Sequence, residues 1–507
     1  MRTAKIASIL TVTSALLCHL SVFAAEQPRC KPWTVDKKHR IFVATDISNE
    51  PDDAMSLIRM LVHSDQYHIE GIAAVTSTWL NASTYPDHIE EIINAYALVQ
   101  DNLQTHGHGQ FPTADTLLSK VTTGPKMYGL TAIESLQAGN NSSPGAQLLL
   151  AAVDASPEPL YAQAWGGANL IAEALWVANA TKTPSEFAIF TSKLRVYSIS
   201  DQDNTGAWAR MHFPGVRWIA SVHGWNAYAM AAWTGISGED NYSQDKGGPD
   251  TSLVSPSWLA EHVQIGPLGT HYPDVLYIME GDTPSLFYTF NNGLGNPEFP
   301  AWGSWGGRYT PSMLGGNHYG DNVDTVLGHD GRMYTSNKAT VWRWRAAYQW
   351  EMAARMQWTL QPYVTGSNTI HPPVVVINGS CGSHHIELTA KAGSTITLDA
   401  TDSYDLDGST LEFTWFHYRE PSMTQNSYSE VPLLNFTFAG GSNNRIVSIQ
   451  LPAESDACRS PTRVNKLVDA GVVCQQYHLI LQATNQGTTP ITRYRRVLVK
   501  TDPGNGM

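Results

Sequence analysis

The stretch Arg40-Ile-Phe-Val-Ala-Thr-Asp-Ile-Ser-Asn-Glu-Pro-Asp-Asp-Ala-Met-Ser-Leu57 carries more structural information than any other part of the chain. An apolar run, Ile41 to Ala44, stops at Asp46. After a short loop, Asp52 and Asp53 open a segment with apolar residues at Leu57, Ile58, Leu61 and Val62. The change of period predicts a buried strand, a loop and a helix. Pro51 suits the first helical position, where its missing N–H costs nothing. Three carboxylates then gather at the carboxyl end of a strand, where open α/β sheets bind ligands. First-turn acids commonly serve only the helix terminus. Asp46, at the strand end, is outside that explanation, and a hard cation is the natural means of holding three such groups together.

Working outward, strands are expected at 40–45, 69–76, 160–164, 196–200, 216–222 and 275–279. Helices are expected at 53–63, 87–99, 169–178 and near 207–211, with a long amphipathic helix over 338–358. This alternation predicts a mostly parallel sheet flanked by helices. Near 364–373 the texture turns to Gly, Ser, Asn and Thr, with a double proline, which marks a linker. Beyond it, short alternating segments at 374–377, 386–390, 394–398, 411–417, 446–451, 477–484 and 493–500 predict a small antiparallel β-sandwich of Ig-like type. The expected organisation is a leader over 1–25, an α/β domain over 36–362, a linker over 363–373 and a sandwich over 374–503. The Asp399–Gly408 turn resembles that of polycystic-kidney-disease-type sandwich modules. Asp402, Asp405 and Asp407 there could hold calcium, but no Glu occupies the twelfth loop position, which favours a solvated turn.

The chain has 507 residues, too many for one core, and two or three domains are expected. A net charge of -13 argues against nucleic acid or an anionic membrane as the main partner. The 16 Trp and 21 Tyr suit flat ligands such as sugar faces, and aromatic cores equally. Arg2 and Lys5, an apolar stretch and small residues at Ala24–Ala25 read as a secretory signal peptide, so the protein is expected outside the cell. Four cysteines follow the leader. Cys458 with Cys474 is the favoured pair, being close and flanking one loop, which leaves Cys30 with Cys381. Seven N-glycosylation sequons, at Asn81, Asn140, Asn141, Asn179, Asn241, Asn378 and Asn435, accord with secretion.

Thr45-Asp46 followed by Asp52-Asp53-Ala54 resembles the N-terminal aspartate motif of calcium-dependent nucleoside hydrolases, with two extra loop residues. Leu160–Asn169, with its Gly-Gly turn, Ser200–Gly206 and Glu280–Tyr288 resemble that family's later segments, in order. Over nearly the full mature length, the chain is more closely similar to a cellulose-binding family in which a nucleoside-hydrolase-like domain precedes a small β-sandwich. Asn49–Asp53, Thr76–Trp79, Ala164–Asn169, Asp201–Gly206, Trp302–Tyr309 and Thr492–Val497 carry that likeness.

The resemblance implies calcium held by Asp46, Asp53, the Trp165 carbonyl and Asp282. It implies Asp46 as the base that takes a proton from a water attacking an anomeric carbon. Asp52 would bind sugar hydroxyls, with Asn81, Asp203 and Asn204 as further substrate contacts. Trp302 and Trp305 would stack on a sugar or polysaccharide such as cellulose, or simply fold back on the domain. The implied activity is hydrolysis of N-ribosyl or related glycosidic bonds of a small sugar or nucleoside. The alternative is carbohydrate binding without catalysis. Gly281 stands where many relatives carry a His that assists the leaving base; His223 and His271 are the substitutes the sequence offers.

Overall fold

In the computed structural model, β1 (His39–Thr45) is the central strand of an eight-stranded sheet. Residues 30–31, 37–221, 227–312, 316–366, 369–422, 431–459 and 473–503 are described; the expected signal peptide and His223 lie outside them. Around β1 run β2 (Tyr67–Ala74), β3 (Val121–Thr123), β4 (Leu160–Ala164), β5 (Leu194–Ser198), β6 (Arg217–Ala220), β7 (Tyr309–Pro311) and β8 (His318–Asp321). Their order is β3-β2-β1-β4-β5-β6-β8-β7, and every pair is parallel except β7 with β8. Alternation along β1 divides the core. Ile41 and Val43 join the cluster on the side of α1 (Pro51–Val62), while Phe42 and Ala44 join the cluster with Leu170 and Ile171 on the other face. Covered on both faces, the parallel strands read as continuous apolar runs. Chain order reverses between β1 and β4, so the loops after them flank the crevice where such sheets bind ligands.

The C-terminal region forms two facing sheets around one core that contains Leu398, Phe413, Val447, Leu479 and Val497. One sheet runs Ile386–Lys391, Thr492–Asp502, Gln476–Asn485, Leu411–His417; the other runs Thr395–Asp399, Ile446–Gln450, Asn435–Phe438. The expected fully antiparallel arrangement is corrected at one edge, where Ile386–Lys391 pairs in parallel with the final strand. Those two segments are far apart in sequence, so no hairpin dictates their direction. Both expected disulfides, Cys30–Cys381 and Cys458–Cys474, are present.

Other expectations change. Residues 275–279 form no strand: they follow Pro273, lie at a pocket mouth with Leu276 and Tyr277 exposed, and have no sheet neighbour. Residues 374–377 contribute isolated bridges at Val374 and Ile377 instead of a ladder. The long helix is two, Ala339–Trp342 and Arg345–Trp358, with a break at Arg343–Trp344. In the Asp-rich turn, Asp405 accepts the amides of Asp407 and Ser409 and the Asn485 amide nitrogen, and Asp407 pairs with His371. Those carboxylates are spent on the turn and the interface, which removes the case for calcium there.

The two parts are joined through the final strand. Arg493 donates to Glu351 at 2.5 and 2.9 Å, and Glu351, fully buried, also accepts from Arg355. Tyr494 is hydrogen-bonded to Asn292 and Trp305, and Arg496 donates to the Leu294 and Trp302 carbonyls. Tyr418 reaches Asp324, itself paired with Arg308 and Arg343. Gly293 is required at this seam, since a Cβ there would lie 2.0 Å from the Tyr494 carbonyl oxygen.

A second link joins His106 to His371 at 2.9 Å and to the Gln361 carbonyl at 2.9 Å. Burial pushes the His106 pKa down to about 4, with His371 and His108 adding to the effect and Asp407 opposing it. The unfolded chain therefore takes up this proton near 6.5 while the folded chain resists, so stability present above pH 6.5 is lost as pH falls toward 4. Urea unfolding at pH 5 against pH 7 should show a His106 contribution of about 2 kcal/mol. His106→Gln, which keeps a donor toward Gln361, should flatten that part of the dependence. An unchanged pH profile in the variant would contradict the assignment.

Candidate metal centre and pocket

The loop between β1 and α1 folds over itself: the Asn49 amide donates to the Asp46 carbonyl at 3.1 Å, and Ser48 adopts a positive φ of 79°. Pro51 then starts α1, in which every residue from Asp52 to Val62 is buried. The Thr45 hydroxyl donates to Asp53 and also accepts the Ile47 amide, fixing Asp53 against the strand end.

From the far side of the sequence comes Asp282, at the start of the short helix Thr283–Tyr288. One oxygen each of Asp52, Asp53 and Asp282 lies within 4.8 Å of the others. Asp282 is 3% exposed, and its Oδ2 has no hydrogen-bond partner. Burial, followed by the neighbouring carboxylates, raises Asp53 and Asp282 well above the usual range. Burial with Glu50 and Asp46 raises Asp52 to about 8, and burial raises Asp46 to about 6 against hydrogen bonding by Ser77. Three acids drawn together and raised by one another form a set that a divalent hard cation would relieve.

These residues floor a cavity of about 200 Å³ lined also by Asn49, Glu50, Trp79, Trp165, Gln202, Tyr228, Trp233, Asn241, Tyr242 and Tyr277. The Trp79 indole donates to the Tyr228 hydroxyl at 3.2 Å, so its mouth has aromatic walls. The Trp165 carbonyl accepts from the Gln202 amide. Glycines after Trp165 are obligatory: a Cβ on Gly166 would lie 2.7 Å from Asp46 Oδ1, and one on Gly167 would lie 2.5 Å from Asp203 Oδ2. Gly281 is equally constrained, since a Cβ there would meet Asp52 Oδ2 at 2.4 Å. Asp52 occupies the space that a side chain at 281 would enter.

Asp46, Asp52, Asp53, Trp165 and Asp282 thus share one pocket, with Asp52 in the tight acidic triangle where the resemblance put Asp46. The remaining expected contacts lie outside the lining of this pocket. Asn81 is exposed and outside the pocket lining. Asn204 is exposed and accepts the Leu130 amide, and Asp203 is buried, its Oδ1 accepting from the Thr205 amide and hydroxyl while its Oδ2 has no partner among the described residues. Trp305 is 1% exposed and donates to Tyr494, so it packs the seam and cannot stack on a sugar. Trp302 lies away from the pocket under Phe299, with ring centroids 4.1 Å apart and planes 7° apart. His271 sits at the surface near Glu91. Glu50, Trp79, Tyr228 and Tyr242, which the sequence did not single out, line the cavity instead; Glu50 was visible only as part of the lengthened loop.

Residues 40–309 match the family described as "Cellulose-binding Sde182, nucleoside hydrolase-like domain". Residues 395–501 match "Cellulose-binding protein Sde0182, C-terminal domain". A nucleoside hydrolase-related hypothetical protein from Saccharophagus degradans, described as associated with carbohydrate metabolism, superposes with a TM-score of 0.72 at 29% identity, over 92% of this chain and 100% of its own. An inosine-uridine preferring nucleoside hydrolase from Bacillus anthracis aligns at 11% identity over 64% of this chain and 100% of its own, with a TM-score of 0.30. Among curated proteins nothing matches.

Proposed function

Because this chain belongs to the cellulose-binding Sde182 family with a nucleoside hydrolase-like domain, we propose that it is a secreted, calcium-dependent hydrolase of N-ribosyl or related glycosidic bonds. The observation that carries this reading is the Asp52–Asp53–Asp282 triangle with the orphaned Asp282 oxygen at the floor of an aromatic-walled pocket. Asp53 and Asp282 with Asp52 would hold the ion, and the Trp165 carbonyl becomes a further donor once Gln202 turns away. All-oxygen donors suit calcium. When bound, the ion would supply Lewis-acid polarisation of water and sugar hydroxyls.

Asp46, buried in the same pocket but outside the triangle, is assigned as the base that takes a proton from attacking water. The acidic floor favours the positive charge that develops on the sugar ring. Gly281 offers the departing group no acid. Burial raises the Tyr228 phenol, and raises Tyr242 to about 12, so both keep their protons and offer hydrogen bonds only. Glycosides whose leaving group departs without full protonation, such as an aromatic aglycone, are therefore the substrates that depend least on a donor at position 281. Two disulfides fit an oxidising compartment, and no helix among the described residues is long and apolar enough to cross a membrane.

Purified protein given calcium should release phenol from nitrophenyl glycosides or base from nucleosides. Asp46→Asn should lower the rate by about 1,000-fold. Undiminished turnover in that variant would remove Asp46 from the mechanism.

A second reading, carbohydrate binding without turnover, is favoured by Gly281 and by Phe299. Phe299 is 46% exposed and stacked on Trp302, so it presents a braced aromatic face to solvent. Retention on insoluble cellulose that Phe299→Ala weakens would support it; passage through without retention would count against it.

A further inference from the structure

Three buried carboxylates within 4.8 Å repel one another, yet nothing in the triangle itself holds Asp282 against α1. The restraint lies one layer below. Arg59, two turns along α1 from Asp52, is fully buried and forks onto Glu280, with one bond to Oε2 and one of 3.0 Å to Oε1. Its remaining donors go to the Tyr348 carbonyl at 3.0 Å and to Gln349 at 2.7 Å. Glu280, also fully buried, further accepts from Tyr272 at 2.8 Å and from the Thr283 hydroxyl at 2.9 Å, and that hydroxyl lies 3.0 Å from the Ser56 hydroxyl of α1, which can donate to it. Every oxygen of Glu280 is committed to holding it in place. Glu280 adopts a φ of 54°, a left-handed conformation that a residue with a side chain takes only when its surroundings impose it. That turn delivers Gly281 beneath Asp52 and Asp282 beside Asp53.

We propose that Arg59 and Glu280 are positioning residues for the carboxylate triangle: their buried, forked ion pair ties α1 to the Glu280–Asp282 turn and holds the acids assembled before any cation arrives. This inference rests on the calcium reading only for its consequence, since the clamp itself needs no ion. Because the pair is bidentate and planar, it fixes direction as well as distance. Preorganisation of this kind is spent on affinity: a triangle that must be gathered on binding gives up part of the ion's binding free energy to ordering and repulsion.

The test pairs calcium titration with amide hydrogen exchange on the full-length protein. Arg59→Met alone leaves Glu280 buried and unpaired and is expected to unfold, so the informative variant is Arg59→Met with Glu280→Leu, which removes both charges at similar volume. The double variant should fold with a lowered melting temperature, since Tyr272 and Gln349 lose a buried partner, lose amide protection across residues 280–283 in the absence of metal, and bind calcium at least tenfold more weakly. Should the double variant not fold, Arg59→Lys, which keeps the charge and loses the fork, is read on the same two scales, with the same two losses expected. A folded variant with wild-type protection and wild-type affinity overturns the clamp. Lost protection together with a wild type that binds no calcium upholds the clamp and removes the metal reading.

Discussion

On the proposed calcium reading, Asp282→Asn should lower calcium affinity by about 100-fold or more and end sugar release, while the metal-free variant should melt no lower than the wild type. The two effects have opposite signs for one reason. Asp282 is 3% exposed, its Oδ2 is unpartnered, and its charge stands among those of Asp53, Asp52 and Asp46. In the metal-free protein that charge is a burden, so an amide of the same shape costs the fold nothing. In a calcium-loaded protein it would be one of the few anionic donors, and a 100-fold loss corresponds to about 2.8 kcal/mol. Calorimetric titration with calcium, alongside thermal unfolding in a chelator, separates the two. A variant that melts lower but binds calcium normally would mean that Asp282 is structural. Asp53→Asn should behave similarly in binding but fold less well, because Asp53 also accepts the Thr45 hydroxyl.

The second large effect concerns the seam between the two parts. Removing the C-terminal region, leaving residues 26–365, should yield insoluble protein. Arg493→Met in the full chain should lower stability by about 3 kcal/mol. Glu351 is fully buried and divides its oxygens between Arg355 of its own helix and Arg493 of the final strand. Without Arg493 one side of that carboxylate is left uncompensated in a dry site, where losing a partner costs far more than the intact pair contributes. Truncation adds the exposure of Trp305, Trp344 and Phe290, and removes Tyr418 from Asp324. Urea unfolding of Arg493→Met, and the yield of the truncated chain in the soluble fraction, provide the measurements. A soluble truncated domain with unaltered unfolding would show the sandwich to be a separable appendage.

These outcomes bear on what could be seen in the residues beforehand. β1 and α1 were legible because the period of the apolar residues changes within one short stretch, and Asp46, Asp52 and Asp53 came with them. Asp282 was legible only through resemblance, since nothing local distinguishes it from an ordinary helix-start acid. The Val275–Met279 segment reads as a strand on composition, but a strand also needs a neighbour, and local pattern does not specify one. For Trp305 the sequence left two readings, a sugar platform or a side chain folded back on the domain; here the final strand covers it through Tyr494. Arg59 with Glu280 and Arg493 with Glu351 were invisible for the same reason. Each is a pairing of charges more than a hundred residues apart, and apolar periodicity carries no record of such partners.

Gly281 shows where residue-by-residue transfer from relatives succeeds only in part. A Cβ at this position would meet Asp52 Oδ2 at 2.4 Å, so a side chain there could be accommodated only if Asp52 moved. The chemistry that follows differs from that of a site with a proton donor at this position, and it directs attention to substrates with leaving groups that need little help.

The most direct measurement is a crystal structure determined in calcium. A single strong peak is expected, with oxygen ligands at about 2.3–2.6 Å from Asp53 and Asp282 and with Asp52 or Asp46 completing the carboxylate set. Clear density for these side chains with no ion between them, or calcium found instead at the Asp402–Asp407 turn, would contradict it.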